Sequence, residues 1–262
     1  MKKIIAALAV CSLAACGGGG GDSGSTNQPT TPTTPTTPSL PAFEGAFAGT
    51  ITGNSNASAF EMLALEDGSF WSLYGKMSGS TFVVNGFIQG TLSTASAGTI
   101  RSTDAKDFGF APAVPATLNG TYTSDLNFSG TVSVSNTAIG VNGSPLTSGF
   151  SYSTAATLGA ISGNWSVALL NGETANISIG STGAITGLSS LGCSFTGTIT
   201  PRPSGKNVFN TSITFGAAPC LLAGQKANGV GVVSTLTNGQ KQLIVAVVDS
   251  NRTVGTAAFG VK

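Results

Sequence analysis

Asx-Gly pairs, among them Asp67-Gly68, Asn119-Gly120, Asn171-Gly172 and Asn238-Gly239, punctuate this chain between short runs of β-branched and apolar residues. Such pairs accept the positive φ of tight hairpin connections, and several of them in one chain are hard to place in anything but hairpins. The runs between them read as strands: Thr81-Phe82-Val83-Val84, Gly130-Thr131-Val132-Ser133-Val134, Val230-Gly231-Val232-Val233 and Gln242-Leu243-Ile244-Val245-Ala246-Val247-Val248. Apolar spacing of helical period is missing. The expectation is an all-β, antiparallel body from Phe43 to Lys262, long enough for one or two cores.

A weak internal repeat runs through that body. Gly45-Ala46-Phe47 and Gly163-Asn164-Trp165 open two halves, and Gly90-Thr91-Leu92 in the first answers Gly197-Thr198-Ile199 in the second. Each half has room for roughly seven or eight strands of ordinary length. Two small tandem β-barrels or sandwiches, residues 43–158 and 159–262, follow as the expected layout. One continuous fold with similar turn chemistry is the alternative.

The chain opens differently. Lys2 and Lys3 precede an apolar run from Ile4 to Val10, and small residues follow at Ala14 and Ala15, which is the pattern of a secretory signal peptide over residues 1–15. Its end, Leu13-Ala14-Ala15-Cys16, resembles the lipobox of bacterial lipoproteins. The resemblance implies cleavage before Cys16 and acylation of both its thiol and its new amine, three acyl chains that make a stable membrane anchor. In Gram-negative lipoproteins an aspartate after the cysteine favours retention at the inner membrane. Gly17 stands there instead, so the resemblance implies the cell outer membrane, with periplasmic or surface orientation left open. Residues 16–42 then read as a disordered Gly/Pro/Thr tether: glycines to Gly21, followed by prolines three apart at Pro29, Pro32, Pro35 and Pro38. The Pro-Thr-Thr repeat favours extended polyproline II at roughly 3.1 Å per residue. An O-glycosylated stalk or a ligand for a proline-recognition domain are the other readings.

Charge and residue types narrow the function. Only 8% of residues are charged, and two of the 11 basic residues lie in the leader, leaving 9 against 10 acidic ones. No basic stripe exists to hold nucleic acid. The chain has no histidine, which removes every Ser-His or Cys-His arrangement and the usual His-bearing zinc centres. Glu66-Asp67-Gly68 reads as a turn, and Asp104 with Asp107 reads first as two loop carboxylates facing water, with a calcium site as the alternative because Ca²⁺ takes oxygen ligands; no metal is expected. Pro203-Ser204-Gly205-Lys206-Asn207 lacks the first glycine and final hydroxyl of a phosphate loop and reads as a turn. No cofactor is expected. A cleft in which acids converge with Arg202 or Lys206 is the arrangement that argues for catalysis.

After the leader and the anchor, Cys193 and Cys220 remain. In an oxidising compartment the pair reads as a disulfide staple across the second half, with a metal pair or redox couple as the alternative. Gly163-Asn164-Trp165 resembles the Gly-x-Trp motif that opens the first strand of lipocalin-like barrels. The resemblance implies that Trp165 closes one barrel end against a basic residue from a late strand, with Arg252 lying near the place for it. The tethered two-part layout is similar to surface lipoproteins of the transferrin-binding-protein type, which capture host proteins. Low charge and the lack of their long loops depart from that pattern. In Phe70-Trp71-Ser72-Leu73-Tyr74, alternation sends Trp71 and Leu73 to one face and Phe70, Ser72 and Tyr74 to the other. One face belongs to a core; the other offers aromatics to a sugar or apolar ligand or packs against the second half. Trp71, Tyr74 and Trp165 are the candidate ligand contacts. The expected function is a non-enzymatic binding module for an envelope or extracellular protein, a glycan or an apolar ligand. A structural or assembly lipoprotein is the alternative, and a barrel interior filled by large side chains favours it.

Overall fold

The alternation in the sequence is realised as two closed antiparallel barrels. The computed structural model describes residues 40–79, 81–94 and 96–262, and these form one compact unit. The signal peptide, Cys16 and the tether up to residue 39 lie outside the described residues. Leu40 and Pro41, read with the tether, pack on the body: Leu40 lies against the first core, and the Tyr122 hydroxyl donates to the Pro41 carbonyl at 3.1 Å.

The first barrel comprises β1 (Gly45–Thr52), β2 (Ala59–Ala64), β3 (Ser69–Ser78), β4 (Thr81–Thr91), a broken strand made of β5 (Thr99–Ser102) and β6 (Lys106–Asp107), then β7 (Val114–Tyr122), β8 (Phe128–Val134) and β9 (Thr137–Pro145). β5 and β6 both lie along β7, and the ring closes where β9 pairs with β1. One helical turn, α1 (Leu158–Ile161), precedes the second barrel. That barrel is β10 (Gly163–Leu169), β11 (Thr174–Ile179), β12 (Ala184–Ser189), β13 (Ser194–Pro201), β14 (Phe209–Phe215), β15 (Lys226–Thr235), β16 (Lys241–Asp249) and β17 (Gly255–Val261), closed by β10 against β17. No helix among the described residues is long and apolar enough to cross a membrane.

The repeat marks fall in register. Gly45 and Gly163 begin the first strand of each barrel, both at positive φ, and Gly90 and Gly197 both lie in the fourth. Gly68, Gly172 and Gly239 sit in hairpin turns at positive φ, as the Asx-Gly pairs predict. Asn119-Gly120 is the exception among these four, and Asn85-Gly86, Asn142-Gly143 and Asn228-Gly229 likewise lie inside strands. Asn119-Gly120 lies inside β7, between β5 and β8, with Gly120 opposite Gly130; a Cβ on Gly120 meets the Ser129 carbonyl at 2.8 Å. Glycine serves here for close strand approach instead of a turn. The β8–β9 hairpin turns at Ser135-Asn136, both at positive φ, an unheralded pair in the type I′ geometry.

Three apolar clusters hold the body together. Phe47, Phe60, Phe70 and Phe128 fill the first barrel, and Phe43, just before β1, stacks on Phe47 at 4.6 Å. Ile177, Ile199, Phe209, Leu243 and Val247 fill the second. The third cluster belongs to both: Trp71, Phe82, Phe87 and Phe108 from the first barrel pack with Val230, Ile244, Ala246 and Val248 from the second. β16 is therefore buried on both faces, which is why its sequence is one apolar run instead of an alternation. A β-bulge shapes the first barrel's side of this contact. Tyr74 pairs with Gly86 and Gly75 with Val84, so Asn85 is the extra residue. The shift in parity lets Val84 and Phe87 face the same way.

Candidate functional site

The two ends of the second barrel differ. At one end α1 folds across the opening: Ile161 is fully buried, and the Trp165 indole, 2% exposed, donates its Nε1–H to the Ile161 carbonyl at 2.7 Å. The Lys262 ammonium lies 4.0 Å from the Trp165 ring centroid and donates to the Ser162 carbonyl at 2.9 Å. Burial, with Lys241 nearby, holds its pKa below the ordinary lysine value. The basic partner of Trp165 is thus Lys262, not Arg252. Arg252 sits in the β16–β17 turn at the far end and reaches the first barrel, donating to Gln89 Oε1 at 2.7 Å and pairing with Asp104 at 3.3 Å.

That far end carries the turns around residues 170–173, 190–193, 216–225 and 250–254, and it is open. Cys193 and Cys220 are disulfide-bonded and join two of its loops. Behind them lies a cavity of about 70 Å³, walled by Ile177, Ile213, Val245 and Val247 among others, with Glu173 and Asn171 at its polar edge. Asn171 Nδ2 donates to Glu173 Oε1, and the Glu173 amide donates back to Asn171 Oδ1 at 3.1 Å. The other carboxylate oxygen, Oε2, is buried and accepts no hydrogen bond. Leu191 (69% exposed) and Leu221 (55%) stand beside the opening on the disulfide-linked loops. Inside the first barrel, a cavity among Phe60, Phe70 and Phe128 measures about 20 Å³.

The sequence-predicted ligand contacts are not brought together. Trp71 is buried in the shared cluster and stacks on Phe87 at 5.9 Å, the packing alternative of the sequence reading. Tyr74 points into the first barrel and donates to Asp107 Oδ1 at 2.8 Å. Its ring crosses Gly86 and its hydroxyl reaches Gly109, places where a Cβ comes within 2.2 and 2.0 Å of the phenol oxygen. Burial raises both the Tyr74 hydroxyl and the Asp107 carboxyl above their ordinary values; hydrogen bonds from the Gly109 amide and from Tyr74 oppose the Asp107 shift without cancelling it. Asp104 is engaged with the Thr91 amide and Arg252 instead. The calcium pair is thus divided between two environments, and among the described residues no three acidic or cysteine side chains converge as a metal site.

Acids do converge on Arg202 and Lys206, across the contact between the barrels. Arg202 pairs with Glu66 and Asp67, both at 2.6 Å, Lys206 pairs with Glu44 at 2.9 Å, and the Tyr152 hydroxyl donates to Glu66 at 3.2 Å. Partial burial pushes Glu66 and Asp67 upward. Hydrogen bonds outweigh it and hold both carboxyls low, Arg202 leading for Glu66 and Ser69 for Asp67, where Arg202 adds to it. Acid–base catalysis draws on groups whose pKa values are pushed apart. Here both move down together, and the cluster reads as a set of ion pairs joining the barrels.

No protein-family model matches the chain, and no curated protein does. Among solved structures it resembles a mutant transferrin binding protein B of Haemophilus parasuis, with a TM-score of 0.28 at 9% identity over 79% of this chain and 54% of that one. The isotype 1 transferrin binding protein B of Neisseria meningitidis matches at 0.26 and 9% over 78% and 65%. A DUF3598-family protein from Nostoc punctiforme matches at 0.24 and 10% over 83% and 93%. The chain spans about half the length of the first of these. Likenesses this distant say nothing about what the chain binds. The residues that sequence reading missed are Asn171 and Glu173, hidden by their role as a turn. The available signal was a carboxylate set directly after a hairpin pair, ahead of the inward Ala175, Ile177 and Ile179.

Proposed function

We propose that this chain is an outer-membrane lipoprotein, anchored through Cys16, whose body is a non-enzymatic binding module working at the open end of the second barrel. The observation that carries the reading is the apolar cavity behind the disulfide-linked loops, with Asn171 and Glu173 at its edge. The lipobox residues and the Pro/Thr tether support an anchored body standing off the membrane. The domain limits 43–158 and 159–262 belong to the same proposal. At about 70 Å³ the cavity is well below the ~300 Å³ usual for drug-sized ligands, so the module takes a small group or one end of a larger molecule. The filled first barrel favours a second reading, a structural lipoprotein that docks an envelope protein. Thermal unfolding of residues 40–262 against glycans, fatty acids, haem, alkyl amines and alcohols tests the choice. Dose-dependent stabilisation by one class supports the module. Silence from all of them, with a single envelope protein captured by crosslinking, supports the structural reading instead.

A further inference from the structure

Residues 216–225, the loop between β14 and β15, bring Leu221 and Leu222 to the cavity at the open end of the second barrel. The loop is bonded to itself: the Cys220 amide donates to the Ala217 carbonyl at 3.2 Å, the Gln225 amide to Leu222 at 2.9 Å and the Gly224 amide to Gly216 at 2.8 Å. At its base the Gly216 amide donates to the Ser194 carbonyl at 2.8 Å. Among the described residues, no backbone–backbone hydrogen bond joins residues 217–223 to anything outside the loop. Of residues 217–225 only Cys220 and Leu222 are buried, and these are its two attachments. Leu222, 2% exposed, joins the buried cluster of Ile177, Ile213, Val247 and Ala258. The disulfide ties Cys220 to the turn at 190–193, which is held in place where the Ser190 amide donates to the Thr174 carbonyl at 2.8 Å and the Ser189 amide to the Cys193 carbonyl at 2.9 Å. Gly224, at positive φ, has nothing within 4 Å of where a Cβ would stand, so the base has room to turn. What Leu222 contributes by burial, a ligand chain replaces in kind by burying its own methylenes in the same space. The covalent bond has no such substitute.

We propose that this loop is a lid, with Leu222 its plug and the Cys193–Cys220 bond its latch, and that reducing the latch opens the second barrel to an uncharged aliphatic chain longer than the present cavity holds. The inference rests on the binding-module reading and names the ligand's chemistry and its control. At about 70 Å³ the cavity is about half of a ~150 Å³ cavity that holds a benzene ring, room for about four carbons, and Leu222 closes it on the loop side. The isobutyl group of that plug shows what the space accepts. None of the residues lining the cavity is basic and Glu173 stands at its edge, which disfavours an anionic head group inside. In the reduction the S–S bond breaks and each Sγ takes up one electron and one proton; a dithiol gives up both pairs and closes into its own disulfide.

The test uses residues 40–262, with the disulfide intact and after reduction by dithiothreitol, and reads the binding of n-butanol, n-octanol and octanoate by NMR titration while near-ultraviolet dichroism follows the fold. We expect n-octanol to bind at least tenfold more tightly to the reduced protein and n-butanol to change less than threefold. The paired Cys193→Ala and Cys220→Ala variant should match the reduced protein, and octanoate should bind it at least fivefold more weakly than n-octanol does. Measurable n-octanol affinity that is equal in the two redox states, with native dichroism in both, overturns the proposal and leaves the module reading standing. Octanoate binding as tightly as n-octanol does the same. Where reduction abolishes the native dichroism, Leu222→Ala in the oxidised protein decides: it removes the plug and should raise n-octanol affinity at least fivefold, and unchanged affinity overturns the proposal. Silence from all three probes in every form overturns it too, and silence across the wider ligand panel as well removes the module reading.

Discussion

At the scale of single residues, burial without compensation also governs Glu61. Its side chain enters a crevice between the barrels lined by Leu63, Leu73, Leu146, Phe150 and Val232, where burial pushes its pKa from the ordinary 4.5 to about 7. Since the folded state then holds a proton that the unfolded chain has released, stability falls as pH rises from about 4.5 to 7, and the loss is complete above that window. The chain has no histidine, so the usual titration in this range is absent. Asp107 is raised too, and Glu61→Gln leaves it in place. We expect the thermal midpoint of the parent body to drop by several degrees between pH 5 and pH 8. Glu61→Gln should flatten that slope and melt higher at pH 8; an unchanged slope in the variant rules the account out. None of this was legible beforehand. Glu61 alternates with Phe60 and Met62 as an outward strand residue does, and only the presence of a second barrel makes outward mean buried.

At the scale of elements, the legible features were those with local causes. Three Asx-Gly turns, the opening glycine of each barrel and the strand character of the β16 run all follow from backbone sterics or side-chain pattern. The bulge at Asn85 does not, because it depends on what lies across from it: Tyr74 needs Gly86 beneath its ring, and Asn85 Nδ2 donates to the Asn56 carbonyl at 2.7 Å. Deleting Asn85 removes the bulge and leaves Val84 and Phe87 two residues apart, so strict alternation keeps Phe87 in the shared cluster and Ile88 in the first barrel. The expected result is a folded protein with native near-ultraviolet dichroism, as for Asn85→Ala, which keeps the extra residue and stays folded within about 1 kcal/mol. Loss of cooperative unfolding in the deletion variant contradicts the parity argument. The disulfide closes a separation of 27 residues, for which chain entropy predicts about 3.5 kcal/mol. Paired Cys193→Ala and Cys220→Ala substitutions should lower urea stability by roughly that amount. A drop under 1 kcal/mol shows that these loops are held by packing alone.

At the scale of the whole molecule, the sequence repeat suggests two separable halves, while the packing makes each barrel complete the other. The ring of each is closed by its own strands, yet the faces of β3, β4 and β16 that look outward form one cluster with Phe87 at its centre, stacked on Trp71 and on Phe108 at 4.9 Å. Ion pairs from Arg202 and Lys206 and a hydrogen bond from the buried Gln242 to the Phe82 carbonyl cross the same contact. Separating the barrels exposes these aromatics to water at once, so unfolding of either should carry the other with it. The chain has two tryptophans, Trp71 in the shared cluster and Trp165 at the closed end of the second barrel, and each reports on a different place. In the single-tryptophan variants Trp165→Phe and Trp71→Phe, urea transitions followed by the remaining tryptophan should each coincide with the loss of β-sheet dichroism measured on the same protein. Phe87→Ala, which empties the centre of the contact, is expected to cost about 3–5 kcal/mol, and in the Trp165-only background it should move the midpoint reported from the far end of the second barrel. If that midpoint stays fixed while the first barrel's sheet melts early, the halves are independent domains and the shared cluster is only a contact between them.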